Sequence, residues 1–330
     1  MSTEKPRRRP RYKGRNPRHF SEKYKEHEPE RYAADVDKVI KSGKTPAGMH
    51  RPVMVHEVME VLDPQSGELA IDCTLGYGGH AAALLPALQP GGRLIGLDVD
   101  PIELPKAEAR LRALGFGPDA LTVHRTNFAG LAKVLPEPAD IVFADLGLSS
   151  MQMDNPARGF TYKWDGPLDL RMNPQRGQAA SALLETLDEA ALAALLLANA
   201  DEPEGDRLAR AIKKTPVSTT TQLTALVRSD GGDEDSVRRV FQALRIAVND
   251  EFGALDAFLQ NLPFCLKTGG RVAILTFHSG EDRRVKKSFQ AGERRGVYSE
   301  VAHEVRRPAP SELRANPRSR SAKLRWAHRA

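Results

Sequence analysis

The chain alternates between short apolar runs and segments in which apolar residues recur every three or four positions. From about residue 46 to 150, four apolar runs predict strands: LAIDCTLG, GRLIGLDVD, LTVHRTNF and ADIVFADLGL. The segments HAAALLPAL and PIELPKAEARLRAL, which follow the first two runs, predict helices. Strands that alternate with helices are typical of a parallel sheet with right-handed crossovers. The pattern therefore predicts an α/β fold with a mostly parallel sheet.

The pattern becomes purely helical after a loop rich in glycine and proline, DNPARGFTYKWDGPLDLRMNP. Helical periodicity continues through ASALLETLDEAALAALLLANA, DRLARAIKK and TTTQLTALVRS, and the polar break DGGDEDS ends this block. A long helix, VFQALRIAVNDEFGALDAFLQNL, and an apolar strand, RVAILTF, come next. We therefore predict a basic disordered tail over residues 1–45, an α/β domain formed by 46–154 and 237–330, and an all-helical insert over 155–236 that recognises the substrate.

Positive charge is concentrated at the two ends of the sequence. The net charge is +6, and the stretches RRRPRYKGRNPRHF and NPRSRSAKLRWAHRA hold much of it. The first stretch has too few apolar residues to bury a core, which is typical of disorder. Basic chain ends with interleaved aromatic residues suit the phosphate backbone of a nucleic acid. A solubilising role is the alternative.

Membrane insertion and metal binding have no support in the sequence. No apolar run reaches the length of a membrane span, and the basic, polar N-terminus is not a secretory signal. The nine histidines show no metal-ligand spacing. We therefore expect a cytoplasmic protein with no membrane partner and no metal site.

The stretch IDCTLGYGGH is the first candidate for chemistry. Gly76, Gly78 and Ala81 fit a GxGxxA fingerprint, and Asp98 ends the next strand about twenty residues later, where a ribose diol would bind. Asp72, just before the turn, would repel a pyrophosphate but suits the ammonium group of S-adenosylmethionine (SAM). His80 could donate a hydrogen bond to the carboxylate of SAM.

Further candidates follow the later strands. Asp145 ends the fourth strand, where amino-group methyltransferases place a polar residue that binds the target N–H, although a structural cap is the alternative. Phe128, after the third strand, could stack on an adenine or simply belong to the core. His278 and Ser279, after RVAILTF, could face the pocket for the target base. The aromatic residues of the glycine-rich loop could stack on a flipped base or form a hydrophobic lid: Phe160, Tyr162 and Trp164.

These motifs resemble those of the ribosomal RNA small-subunit methyltransferase H family, also called MraW-like. The matching blocks run in family order from about residue 50 to 326: HRPVMVHEVMEVL, IDCTLGYGGHAAALL, GLDVDP, NFAGL, ADLGLSSMQMDNPARGFTYKWDGPLDLRMNP, FQALRIAVNDE, GGRVAILTFHSGEDRRVKKSF and NPRSRSAKLR. The resemblance implies a class I SAM-dependent methyltransferase, Rossmann-like, with a helical insert. It further implies N4 methylation of a cytidine in the decoding region of 16S ribosomal RNA, within the small ribosomal subunit.

The resemblance also assigns residues. Gly78, Gly79 and His80 match the cofactor-binding turn of the family, and Asp98 matches its ribose-binding acid. Three more positions match further cofactor contacts: Phe128, Asp145 and Gln152. Gly280 departs from the pattern, since leucine is usual in the family's FHSLEDR motif, and the N-terminal basic tail lies outside the family pattern.

Two other functions remain open from the residues alone. A nicotinamide-dependent oxidoreductase would use the same glycine turn, and a non-catalytic RNA-binding assembly factor would use the same basic ends. If the chain is a methyltransferase, its candidate catalytic residues are Asp145 and His278.

Overall fold

The computed structural model describes residues 52–330, so the predicted tail over 1–45 lies outside the described residues. The strands of this part are β1 Leu69–Asp72, β2 Arg93–Asp98, β3 Leu121–Arg125, β4 Ala139–Asp145, β5 Leu266–Thr276, β6 Tyr298–Val301 and β7 Lys323–Arg329. The helices are α1 Val55–Leu62, α2 Gly79–Leu88, α3 Leu104–Ala113, α4 Leu131–Val134, α5 Ser150–Asp154, α6 Ala180–Thr186, α7 Glu189–Ala200, α8 Gly205–Lys213, α9 Thr220–Ser229, α10 Glu234–Asn249, α11 Glu251–Cys265, α12 Ser279–Arg294 and α13 Pro310–Ala315.

All seven strands form one sheet in the order β3-β2-β1-β4-β5-β7-β6. Strands β1 to β5 pair in parallel, and β7 runs antiparallel to both of its neighbours. The strand order reverses between β1 and β4, which is where ligands bind in open α/β sheets. The predicted Rossmann-like fold with a mostly parallel sheet is confirmed.

Helices cover both faces of this sheet. One core packs α11 and α12 against it through Phe258 and Phe289. The other packs α1, α2 and α3 against it through residues such as Leu84 and Leu111. All four residues of β1 are buried, as expected for a strand that lies between two helical layers.

A third core lies in the helical segment that separates β4 from β5. It includes Phe160 and the apolar faces of α6 to α9, and it also includes Val240, Phe241 and Leu244 of α10. Helix α10 therefore packs with the helical segment, beyond the predicted end of the insert at residue 236. We propose that the helical segment extends to Asn249.

Two features of the local structure differ from the predictions. VFQALRIAVNDEFGALDAFLQNL is not one helix, because Asp250 adopts a left-handed conformation (φ 48°) that ends α10 and begins α11. The C-terminal basic stretch is in part strand β7, which the sequence did not predict, and its contact with a phosphate backbone stays a prediction. Arg325 is buried and donates to Asp282, and Trp326 packs against the second core.

Candidate active site

The glycine turn connects β1 to α2 at the carboxyl edge of the sheet. Gly78 has φ 80°, a region that favours glycine, and a Cβ there would lie 3.2 Å from Leu111. A Cβ on Gly79 would lie 2.3 Å from the Pro52 ring. The turn therefore requires glycine both for its backbone and for its packing, and it leads into the first turn of α2, whose N–H groups lack partners within the helix.

Asp98 is the last residue of β2, as predicted. Its carboxylate accepts hydrogen bonds from the backbone N–H of Gly76 (2.7 Å) and of Asp100 (2.8 Å). Burial raises the pKa of Asp98 to about 6, although these two N–H groups counteract the effect. The carboxylate thus connects the glycine turn to the loop after β2, and its contact with a ribose stays a prediction.

Asp145 is the last residue of β4, and its backbone N–H donates to the hydroxyl of Thr74 at 2.6 Å. Its Oδ1 atom is buried and has no hydrogen-bond partner among residues 52–330, while the side chain keeps 27% of its surface exposed. Burial above all, and then the nearby carboxylates of Asp72 and Glu281, raise the pKa of Asp145 to about 8. An unpartnered acceptor at this edge is suited to a ligand that brings an N–H group or a positive charge.

His80 does not play the predicted part. Its Nε2 lies 2.9 Å from the carbonyl oxygen of Val53, which can only accept, so the proton of the neutral ring lies on Nε2. Burial lowers the pKa of His80 to about 4. Its Nδ1 therefore carries no proton and lies 3.7 Å from Oδ2 of Asp145. The side chain has no donor left for the carboxylate of SAM, and only the backbone N–H at this position remains a candidate.

Three carboxylates lie together on neighbouring strands. Asp72 is in register with Gly96 of β2 and Phe143 of β4, two positions before Asp98 and Asp145. It is 1% exposed, and burial raises its pKa to about 7. No Lys or Arg of the described chain forms an ion pair with any of the three. The edge between β2, β1 and β4 is therefore suited to a cationic ligand.

Gln152 contacts a buried ion pair that the sequence did not suggest. Its Nε2 donates to Oδ2 of Asp100 at 2.8 Å, and Arg158 donates to the same oxygen at 2.8 Å. Arg158 also donates to the carbonyl oxygens of Arg171 and Met172. The predicted contact of Gln152 with the cofactor stays a prediction. Both partners of the ion pair are in quoted motifs, Asp100 in GLDVDP and Arg158 in NPARGF. No local pattern connects two residues that are 58 positions apart.

Phe128 begins a short 3₁₀ helix directly after β3. Its ring packs edge-on against Phe258 with the ring centroids 5.4 Å apart, and it is partly buried against the first core. Phe128 therefore packs with the core, which is one of the two roles that the sequence left open. Its stacking on an adenine stays a prediction.

The three aromatic residues of the glycine-rich loop have different environments. Phe160 is 6% exposed in the third core, and Tyr162 packs against Phe241 with the ring centroids 5.6 Å apart. Trp164 is 47% exposed. The hydrophobic lid is the correct alternative for Phe160 and Tyr162, and Trp164 remains a candidate for stacking on a base.

His278 lies at the N-terminus of α12, just beyond β5. Its Nε2 is 3.1 Å from Oε1 of Glu281, whose second oxygen accepts the N–H of Phe277. Ligand atoms of Glu251, His278 and Glu281 lie within 4.8 Å of one another. Both oxygens of Glu251 already accept from Arg245, at 2.8 and 2.9 Å, and a cation beside Arg245 would be repelled. The absence of a metal therefore stays a prediction.

Gly280, which departs from the family motif, has a physical explanation. A Cβ at this position would lie 2.5 Å from Cζ of Phe252. That ring also lies under the guanidinium of Arg284 and near His278. Phe252 fills the space that a larger residue would use.

A parallel Rossmann-like sheet that presents desolvated carboxylates beside a glycine turn, with an acceptor at the end of β4, defines a class I SAM-dependent methyltransferase. The chain belongs to the MraW methylase family, whose model matches residues 47–330. It is 48% identical to ribosomal RNA small subunit methyltransferase H 1 of Lachnoclostridium phytofermentans, covering 98% of this chain and 93% of that one. It is 50% identical to ribosomal RNA small subunit methyltransferase H 2 of Alkaliphilus metalliredigens, covering 99% of both chains.

The family model begins at residue 47, so the N-terminal tail lies outside the family pattern, as expected. The alignments to the two relatives cover 98% and 99% of the chain and therefore include most of residues 1–45. Among solved structures, an rRNA methylase from Streptococcus thermophilus is 13% identical with a TM-score of 0.39, covering 83% of this chain and 93% of that one. A SAM-dependent O-methyltransferase from Thermotoga maritima is 14% identical with a TM-score of 0.40, covering 84% and 64%.

Proposed function

We propose that this protein transfers the methyl group of SAM to N4 of a cytidine in the decoding region of 16S ribosomal RNA, within the small ribosomal subunit. Family membership and the names of the two relatives support the reaction class and the RNA. The observation that carries the proposal is the unpartnered Oδ1 of Asp145 at the carboxyl edge of β4.

The residues present fit SAM. When bound, SAM supplies the reactive methyl group on a positively charged sulfur. The chain supplies carboxylates that lack a cation, namely Asp72, Asp98 and Asp145, and a helix N-terminus at Gly79. The proposed contacts of the cofactor are the backbone of the glycine turn at Gly78, Gly79 and His80, and the side chains of Asp98, Phe128, Asp145 and Gln152.

The chemistry requires an acceptor for a proton. The exocyclic N4 of cytosine is a poor nucleophile, because its lone pair is delocalised into the ring, so positioning supplies much of the rate. As the nitrogen gains positive charge, it must lose a proton, and an aimed carboxylate stabilises that charge. Asp145 is the proposed acceptor. A positive ligand beside it would favour the ionised carboxylate, because an opposite charge lowers the pKa of an acid.

The second candidate, His278, would act next to Asp145. Glu281 contacts its Nε2 and also raises the pKa of Asp145, which shows that both residues lie near the same edge. We propose that Glu281 orients the ring of His278. The target base must leave its stack to reach the pocket, and Trp164 is the proposed stacking partner.

Two alternatives make different demands on the site. An oxidoreductase must bind the pyrophosphate of NAD, and the sheet edge at Asp72 and Asp145 offers that anion no Lys or Arg among the described residues. A non-catalytic assembly factor would bind RNA without needing the acceptor of Asp145.

Within residues 52–330, no helix combines the length and the apolar character needed to cross a membrane. A ribosomal RNA substrate supports the proposal that the reaction takes place in the cytoplasm.

The test is methyl transfer from SAM with a labelled methyl group to small subunits that lack the modification, and separately to free 16S ribosomal RNA. Mapping of the labelled nucleotide should identify N4 of one cytidine in the decoding region. Label on another base contradicts the proposed substrate. RNA binding without transfer would favour the assembly factor.

A further inference from the structure

Helix α12 has one face that packs and one face that is strongly basic. Its buried residues are Glu281, Val285, Phe289 and Gly292. Residues three and four apart share a helix face, so positions 283, 286, 287, 290 and 294 lie together on the opposite side. Four of these five are exposed cations, which we call the α12 basic face: Arg283, Lys286, Lys287 and Arg294.

The acids of the same helix do not neutralise this face. Glu281 contacts His278, and Asp282 forms ion pairs with Lys323 and Arg325 of β7. The third acid of the helix, Glu293, lies 3.3 Å from His303. Arg283 lies 3.4 Å from Asp201. In the part of the chain that the structure describes, no carboxylate lies within ion-pair distance of the other three cations: Lys286, Lys287 and Arg294.

Several arginines of the helical segment are arranged differently. There, arginines of α8, α9 and α10 form ion pairs with acids: Arg207 with Glu204, Arg210 with Glu189, Arg228 with Glu234 and Arg238 with Asp235. On α12, Arg283 and Lys287 are four residues apart, and like charges at that spacing destabilise a helix. An unbalanced basic face that persists despite this repulsion indicates an anionic partner.

The position of α12 indicates which anion. The helix begins directly after β5, and Asp145 is in register with Leu275 of that strand. The basic face therefore starts near the proposed methyl-transfer site and extends for about 16 Å, since a helix rises about 1.5 Å per residue. Cations spaced over three helical turns match the repeated charge of a phosphodiester backbone rather than a single phosphate.

We propose that the α12 basic face binds the phosphate backbone of the ribosomal RNA next to the methylated nucleotide. This inference rests on the proposed function, because it takes the RNA to be the substrate of the site at the edge of β4. Contacts to phosphates orient the RNA without reading its sequence. They increase affinity through the release of counterions, so the affinity depends on salt.

The test compares two variants with the same loss of charge. One carries Lys286→Gln, Lys287→Gln and Arg294→Gln. The control carries Lys133→Gln, Lys214→Gln and Arg307→Gln, three exposed cations on other elements. Dissociation constants for 16S ribosomal RNA fragments are measured over a series of salt concentrations, with SAM affinity and melting temperature as checks of folding.

In the α12 variant, the slope of log affinity against log salt should decrease by about 2 to 3, since each phosphate contact contributes roughly 0.7 to 0.9. The control should keep most of the wild-type slope, and SAM affinity should not change in either variant. An unchanged slope in the α12 variant, or an equal loss in the control, would overturn the inference. Failure of the wild type to methylate small subunits that lack the modification would instead contradict the proposed function, and the slopes would still report where RNA binds.

Discussion

Carboxylates at the sheet edge and in the helical segment have opposite environments. Glu202 of the helical segment is 0% exposed, and it accepts hydrogen bonds from Arg239 and from the N–H of Glu204. Asp72 and Asp145 at the sheet edge have no such cation, and burial raises the pKa of each. A buried carboxyl group without a cationic partner lowers stability, so its presence beside a glycine turn indicates a site rather than a structural device.

The largest expected effect is on the rate. Asp145→Asn keeps the shape of the side chain but removes its charge and half of its acceptor capacity. Single-turnover methyl transfer should decrease by roughly ten- to a thousand-fold, as expected for the loss of one aimed electrostatic group. SAM affinity, measured by calorimetry, should decrease much less. A sharp loss of affinity with a nearly normal rate at saturating SAM would show that Asp145 mainly binds the cofactor.

A smaller effect is expected on affinity from Asp98. Asp98→Ala removes the acceptor for the ribose hydroxyls, and SAM affinity should fall by roughly 10- to 100-fold, since hydrogen bonds to charged groups contribute about 1.5–3 kcal/mol. Asp140→Ala is the matched control, because Asp140 also lies in a strand but pairs with Lys267 at the opposite end of β4. Equal losses in the two variants would contradict a specific role for Asp98.

The converse test changes the paired carboxylate. Glu202→Gln leaves Arg239 without its counter-charge, and the free energy of unfolding should fall by about 1–3 kcal/mol, the cost typical of an unsatisfied buried group. SAM affinity should not change. Urea denaturation of Glu202→Gln and Asp145→Asn makes the comparison direct, since Asp145→Asn replaces a carboxyl group that has no cationic partner. Stronger destabilisation by Asp145→Asn would mean that the edge carboxylate supports the fold.

The smallest expected effect is a release of protons on binding. With a pKa of about 8, Asp145 is mostly protonated at pH 7 in the free protein. A cationic ligand lowers this pKa, so SAM binding at pH 7 should release a fraction of one proton. Calorimetry in two buffers with different ionisation enthalpies measures it. The release should vanish above pH 9, where the carboxylate is already ionised, and should decrease in Asp145→Asn. Proton uptake at pH 7 would contradict the raised pKa.

The sequence predicted the parallel strands because each is a short apolar run between turn residues. It did not predict β7, because alternation of basic and apolar residues in KLRWAHR was interpreted as a phosphate-binding tail. The partners that make Arg325 structural, above all Asp282, lie about forty residues away in the chain. Charge alone could not distinguish a buried ion pair from an exposed contact to a phosphate.

The candidate active site could also be predicted from the sequence only where local patterns were enough. The strand ends at Asp98 and Asp145 were visible as acids that follow apolar runs, because the carboxyl ends of parallel strands share one edge. The engagement of His80 with the Val53 carbonyl was not visible, since it depends on how the chain before α1 packs against α2. The ion pair of Asp100 with Arg158 also required the tertiary structure.

The separation of β4 from β5 along the chain has a consequence for folding during synthesis. These strands are adjacent in the sheet, yet about 120 residues separate the end of β4 from the start of β5. At typical rates of translation, β4 leaves the ribosome roughly 6 to 24 s before its neighbour. During that interval the outer edge of β4 is an unpaired, apolar edge that can associate with other chains. Until β5 arrives, this edge of β4 is therefore open to such association, and the pairing of Asp145 with Leu275 at the carboxyl edge forms only afterwards.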